Sequence, residues 1–275
     1  MEIEKLSDAA AFRSEADPLL LEQEARNNLI LGVTGTAITS PDRFDQFDAW
    51  LVWDEGEVVG SAARTPPHNL ILADARSDAA VRHLAGHVGV VPGVIGNEPW
   101  VSVFVRERPD AVGSVMSQGV FQLDNVTLPS PSDGVARPGR YEEENLLAGW
   151  AAAFQEEALG ESDVEGARRI VERNLTGPPN DMGLWVYEVG GEPRSTSSYG
   201  GTTPNGIRIS LVYTPPEHRG KGYASNLVAA QSQWLLDNGR RFCFLYTDLS
   251  NATSNAIYQR IGYRQVAESA DYRFA

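Results

Sequence analysis

The chain is 275 residues long, 42% hydrophobic and 22% charged, with a formal net charge of -14 and a single cysteine. That hydrophobic content excludes a disordered chain, and the length is enough for one large domain or two, each with a proper core. The charge opposes attraction to nucleic acid or an anionic membrane and favours a neutral or cationic small molecule, while the lone Cys243, in "RFCFLY", excludes a disulfide framework and reads as a buried strand thiol.

The N-terminal "MEIEKLSDAAAF" is acidic and lacks a signal-peptide core, and no apolar run approaches about 18 residues, so a cytoplasmic protein without membrane contact is expected. "DPLLLEQEARNNLILGV" predicts a helix capped by Asp17 with Pro18 at its first position. "AWLVWDEGEVVGSAART" predicts a hairpin, "HNLILAD" a third strand and "GVFQLDNV" a closing strand. "LPSPSDGVARPG", Leu128 to Gly139, concentrates proline, serine and glycine and reads as a linker, which divides the chain into 1–130 and 138–275.

Beyond the linker, "YEEENLLAGWAAAF" predicts a helix with an apolar stripe of Leu146, Leu147, Trp150, Ala151 and Phe154. A second helix follows, with Ser162 and Glu165 at capping-box spacing and Val164, Ala167, Ile170 and Val171 on one side. "MGLWVYEVGGEPRSTSSYGG" is a hairpin turning at Gly190 and Gly191, and "GIRISLVYT" is a strand with Ile207, Ile209, Leu211 and Tyr213 on one face. A helix carrying Leu227, Ala230 and Trp234 stops at Asn238 and Gly239. "RFCFLYTD", "NATSNAIYQRIG" and "YRQVAESADYRF" then give strand, helix and strand. The first half shows a weaker version of the same order, as an internal duplication would.

Between strand and helix lies "YTPPEHRGKGYASN". Its glycines let successive N–H groups converge, the next helix presents unpaired N–H groups, and Arg219 with Lys221 adds positive charge, which together make a phosphate cradle. A Walker loop is excluded because its glycine, lysine and hydroxyl spacing is absent. A dinucleotide fingerprint, Gly220-x-Gly222-x-x-Ser225 with Asp248 as the ribose acid, fits poorly: Pro-Pro-Glu-His-Arg separates strand from glycines and too little chain follows Asp248.

Arg219-x-x-Gly222-x-Ala224, preceded by "ISLVYTPPEH" and followed by "LSNATSNAIYQRIGYRQV", resembles the GNAT superfamily of acetyl-CoA-dependent N-acetyltransferases. The likeness covers about Met182 to Phe274, and the whole most resembles two-part members with a divergent N-terminal half. It implies an α/β (α+β) fold with a mixed, mostly antiparallel central sheet flanked by helices, a degenerate GNAT-like first half and a catalytic second half. By resemblance, the backbone of Leu211, Val212, Tyr213 and Thr214 binds the acetyl carbonyl and pantetheine arm at a bulged, splayed strand. The amides of Arg219, Gly220, Lys221, Gly222, Tyr223, Ala224 and Ser225 bind the pyrophosphate, Asn251 and Asn255 contact the cofactor arm, and Tyr258 protonates the leaving thiolate. The implied activity moves an acetyl group from the cosubstrate acetyl-CoA to the amine of a small molecule by direct attack. A noncatalytic acyl-CoA-binding or sensing protein is the alternative reading, and a nucleotide-dependent oxidoreductase the third.

Acetyl transfer requires a neutral amine, a polarised thioester carbonyl and a proton for the thiolate. "GIRISLVYT" carries no Asp or Glu, so the general base is unassigned among Asp248, Glu217 and His218. In the first half "ARSDAAVRHLAG" holds no glycine pair and no cationic cluster where the cradle would be, so no second coenzyme A is expected there; that half would cover the acceptor site or support the catalytic one. His83 and His87 share a helix face without a third ligand, and no metal is expected. The acidity points to a cationic amine as acceptor.

Overall fold

The structure, a computed structural model, describes residues 1–160 and 163–275. It divides into two compact units: Met1–Phe121 with Tyr246–Asn251 and Gln265–Ala275, and Gln122–Leu245 with Ala252–Arg264. The first set of elements is β1 (Glu2–Leu6), α1 (Ala9–Leu20), α2 (Asn28–Thr39), β2 (Asp48–Asp54), β3 (Glu57–Arg64), β4 (Leu70–Leu72), α3 (Asp78–His87), β5 (Gly93–Asn97), α4 (Trp100–Arg106) and β6 (Ala111–Leu123). The second is β7 (Val135–Pro138), α5 (Glu144–Leu159), α6 (Val164–Thr176), β8 (Gly183–Val189), β9 (Glu192–Gly200), β10 (Gly206–Tyr213), α7 (Tyr223–Asp237), β11 (Phe242–Asp248), α8 (Ala252–Ile261) and β12 (Arg264–Phe274). Short 3-10 turns aside, the two sets follow one order, strand and helix for strand and helix. Among the described residues no helix is long and apolar enough to cross a membrane.

In the first unit the strands run β1-β2-β3-β4-β5-β12, antiparallel except for the β4–β5 pair. Alternation along β2 divides its core: Trp50 and Val52 pack with α3 and α4 through Val81, Leu84 and Phe104, whereas Ala49 and Leu51 pack with α1 and α2 through Phe12, Leu20 and Leu31. The expected helix start at Asp17 is wrong. The helix α1 begins at Ala9, where the Asp8 carboxylate accepts from the N–H groups of Ala10 and Ala11, and Phe12, Ala16, Leu19 and Leu20 supply its buried stripe. Asp17 instead pairs with Arg13 one turn away, and Pro18 sits inside the last turn.

The last strand of the chain finishes this unit. Residues Ser269 to Arg273 of β12 pair with Asn97 to Gly93 of β5. Gly93 is required there, because a Cβ would lie 2.2 Å from the carbonyl oxygen of Tyr272.

In the second unit the strands run β11-β10-β9-β8-β7, antiparallel except for β10–β11. Leu184 and Val186 of β8 face α5 and α6, with Leu147, Ala151, Ala167 and Val171; Trp185 and Tyr187 meet Trp234 and Tyr223 of α7 instead. The segment read as linker contains β7, so the helix pair does not open this half. Arg137 holds that strand by donating from Nε to Glu188 at 2.7 Å and from Nη1 to Glu143 at 3.0 Å. The expected cap at Ser162 lies outside the described residues, and the carboxylate of Asp163 accepts from Gly166 N–H at 2.8 Å.

Deleting residues 265–275 should therefore accelerate amide hydrogen exchange in Val94 to Asn97 far more than in β8 and β9. Loss of protection confined to β8 and β9 would contradict the pairing of β12 with β5.

Candidate active site

The site is built where β10 stops behaving as a strand. Its register with β9 runs Arg208↔Gly200, Ile209↔Tyr199 and Ser210↔Ser198, then jumps to Tyr213↔Thr196, so β10 carries one extra residue. Leu211 takes up the slack with φ of 51°, a left-handed conformation that a branched side chain rarely adopts. The alternation expected through Ile207, Ile209, Leu211 and Tyr213 breaks here. On the other edge, β10 pairs with β11 only at Gly206↔Phe242, Ile207↔Cys243 and Arg208↔Phe244. Backbone groups of Leu211 and Val212 thus fall outside both ladders.

Tyr213 and Thr214 are more committed. The fully buried Ser195 donates to the Tyr213 carbonyl at 3.0 Å and lies 2.8 Å from the Thr214 hydroxyl, while Arg219 Nε donates to the Thr214 carbonyl at 2.8 Å. Nothing in the sequence singled out Ser195.

The loop after the strand bends at two glycines, Gly220 at φ 76° and Gly222 at φ 78°. Gly222 is also the N-cap of α7, with no side chain bonded to the helix start. The first helical bond is Asn226 N–H to the Gly222 carbonyl at 3.0 Å, so the amides of Tyr223, Ala224 and Ser225 lie ahead of it. A Cβ on Gly220 would meet open space and one on Gly222 only Asn226 Nδ2 at 3.6 Å; the glycines are needed for conformation, not room. Asn226, also unforeseen, steadies the turn by donating from Nδ2 to the carbonyls of Gly222 at 3.0 Å and Ser130 at 3.2 Å. The Tyr223 ring stacks on Tyr187, with ring centroids 5.4 Å apart.

Tyr258 lies on α8 at 8% exposure, its ring edge-on to Tyr263 at 6.0 Å. The Tyr263 hydroxyl is anchored 2.8 Å from Ser232 Oγ of α7. Burial pushes the Tyr258 phenol up to about 12, so it stays protonated. Asn255, half-buried, precedes it by three residues on the same helix face, whereas Asn251 belongs to the other compact unit.

Two of the three candidate bases are engaged. Asp248 accepts from Ser250 N–H and Oγ, both at 2.8 Å; His218 Nε2 lies 3.2 Å from Arg194 Nη1, and Glu217 is exposed on a 3-10 turn. None is aimed at β10 by any of these contacts.

Comparison with known proteins agrees with this geometry. Residues 201–273, which span the strand, loop and helix just described, match the family model described as FR47-like protein. A GNAT-family acetyltransferase from Colwellia psychrerythraea superposes with a TM-score of 0.62 at 11% identity, covering 100% of both chains. A Drosophila protein gives 0.70 at 12% identity, over 99% of this chain and 98% of its own. A tandem GNAT protein from the clavulanic acid biosynthesis pathway gives 0.53 at 14% identity, over 98% of each. No curated protein matches. The chain has a two-part GNAT fold.

The two GNAT sets differ at the place of the cradle. In the first set α3 begins with Ser77, whose hydroxyl accepts from Ala80 N–H at 3.2 Å, followed by the acidic Asp78. The carboxyl ends of the parallel strands β4 and β5 are filled by Arg26, which pairs with Asp74 and donates to the carbonyls of Val266 at 3.1 Å and Glu98 at 3.4 Å. Asn97 Nδ2 also donates to Asp74, at 2.9 Å. What remains is a cavity of about 10 Å³, room for roughly one water.

Gly222→Ala should lower stability by about 1 kcal/mol from left-handed strain alone, because its added methyl meets no clash. Urea denaturation checks this; an unchanged midpoint would mean that the turn is not held at positive φ.

Proposed function

We propose that the protein is an acetyl-CoA-dependent N-acetyltransferase that acts on a small, cationic amine. The observation that carries this reading is the conjunction in one unit of a bulged, early-parting strand with an uncapped, glycine-started helix. The first offers free backbone groups to a carbonyl and an amide-rich arm; the second offers converging N–H groups and the positive end of a helix dipole to a pyrophosphate.

Acetyl-CoA supplies the activated acyl group. The backbone of Leu211 and Val212 holds and polarises the carbonyl and receives the start of the arm, whereas the carbonyls of Tyr213 and Thr214 are already engaged by Ser195 and Arg219. The amides from Gly220 to Ser225 hold the pyrophosphate, the Arg219 N–H being already given to the Pro216 carbonyl at 3.3 Å, and Asn255 of α8 supports the arm. The amine, after its ammonium form has lost a proton to water, attacks the carbonyl carbon directly with no covalent enzyme intermediate. The N–H proton lost as the amide forms passes to water, from which the Tyr258 phenolate is reprotonated. As the C–S bond breaks, Tyr258 gives its phenolic proton to the sulfur, a role suited to a group that burial keeps protonated. The formal charge of -14 favours approach of a cationic acceptor.

Calorimetric titration should show one acetyl-CoA bound per chain and no NADH. Two bound molecules would mean that the first set keeps a working cradle despite Arg26 and Ser77; none would end the cofactor reading. Binding without transfer to any of a panel of polyamines, amino sugars and amino-acid amines would favour an acyl-CoA sensor.

Tyr258→Phe should cut kcat by about 100-fold or more, in line with a lost general acid, and leave acetyl-CoA affinity within about twofold. Because its pKa is raised, the wild-type enzyme should show no loss of acid function below about pH 10. An unchanged kcat in the variant would remove Tyr258 from the chemistry.

A further inference from the structure

Arg219 opens the glycine loop, yet its guanidinium is already engaged. Nε donates to the Thr214 carbonyl at 2.8 Å, Nη2 donates to both carboxylate oxygens of Glu157 at 2.8 Å, and the group lies 5.7 Å over the Tyr213 ring. Glu157 sits two residues before the end of α5, so Arg219 ties the loop to the strand end on one side and to that helix on the other. Lys221 differs: it is exposed, lies 6.0 Å over the Tyr223 ring, and has no carboxylate partner among the described residues.

The first set of elements supplies an internal control. Arg76, between β4 and α3, grips Glu22, just past the end of α1, with Nη1 donating at 2.6 Å and Nη2 to the second oxygen. By element order this is the same bridge, from the strand-to-helix loop to the end of the first helix. Its side chains are 48% and 47% exposed, against 46% and 48% for Arg219 and Glu157. In the first set, however, the loop has no glycine and the helix start is capped by Ser77. A bridge that persists where the helix start carries a serine cap and no glycine loop precedes it belongs to the loop, not to a phosphate.

We propose that Arg219 and Glu157 are positioning residues that hold the glycine loop in shape, and that Lys221 is the side chain that meets the phosphates of coenzyme A. The proposal rests on the cofactor reading above. Arg219 gives its backbone N–H to the Pro216 carbonyl at 3.3 Å and its charge to Glu157, so neither is left for a phosphate; the charge of the turn that no carboxylate pairs among the described residues is that of Lys221. Glu157 therefore governs cofactor affinity without touching the cofactor.

The test compares wild type with E157Q, R219Q, the double variant and K221A in two measurements. One is amide hydrogen exchange across residues 215–222 without ligand; the other is acetyl-CoA titration at several salt concentrations. E157Q and R219Q should each speed exchange in the loop and weaken binding about three- to tenfold. The double variant should be no worse than the weaker single one, and the salt dependence of affinity should match wild type. K221A should leave exchange unchanged and flatten the salt dependence. Unchanged loop exchange in E157Q and R219Q overturns the positioning role, as does tighter binding by E157Q, which would make Glu157 a competitor of the phosphates. A flattened salt dependence in R219Q would make Arg219 a direct ligand and likewise overturn it. Should wild type bind no acetyl-CoA, the cofactor reading and the role of Lys221 fall together, and the exchange data alone decide whether Glu157 and Arg219 shape the loop.

Discussion

Two parallel strands that stay paired for three residues and then part create the opening on which the second unit depends. Ladder hydrogen bonds between β10 and β11 end at Arg208, and on the opposite edge the extra residue at Leu211 lifts β10 out of register with β9. A buried backbone that leaves its ladder must find other partners. Ser195 and Arg219 meet that need at Tyr213 and Thr214, which confines the uncommitted groups to Leu211 and Val212. The left-handed Leu211 is thus a local strain held by its surroundings, and it falls where the chain has most use for free N–H and C=O groups.

The two sets of elements show how one architecture can hold such an opening or close it. In the first, a cation from the loop after α1 enters the ends of β4 and β5 and is neutralised there by Asp74, while Asn97 braces the carboxylate. Partly burying a guanidinium costs least when it is paired in this way, so Arg26, Asp74 and Asn97 act as one unit. Such a plug stabilises the half that holds it at the expense of ligand room. The second set keeps its strand ends open, and its helix start relies on glycine rather than on a serine cap.

Much of this was legible in the sequence, and the misses share a physical cause. The hairpin turning near Gly56, the one at Gly190-Gly191, the helix stop at Asn238-Gly239 and the glycine loop were readable because local chemistry fixes them. The start of α1 was misread because Asp17-Pro18 is as good a local start signal as Asp8, and only the burial of Phe12 and Ala16 decides between them. Strand β7 hid in a proline-rich stretch because its stability comes from Arg137 gripping Glu143 and Glu188, which are remote in sequence from each other. Partner choice was equally invisible: "YRQVAESADYRF" reads as a strand, but nothing in it names β5. In the site, glycines and Tyr258 stood out by type and spacing, whereas Ser195, Asn226 and Glu157 act through contacts that no local pattern announces.

The charge distribution raises a last point about a chain of formal charge -14 that, under the proposed function, must hold one polyanion and attract one cation. At physiological ionic strength fields from exposed charges fade over about 8 Å, so repulsion from distant carboxylates reaches a phosphate group only weakly. Amides fixed at the start of α7 act at hydrogen-bond range and lose little to salt, because they are dipoles already in place rather than mobile ions. An approaching amine meets the opposite balance, drawn by carboxylates within about that same distance of its path and by little fixed structure. Acidity and a basic turn are then compatible: the surface sets how often a cation arrives, and the backbone sets how firmly the anion stays. Salt should act on the first of these and, for the anion, on the share of affinity that Lys221 carries, while the share held by fixed amides stays.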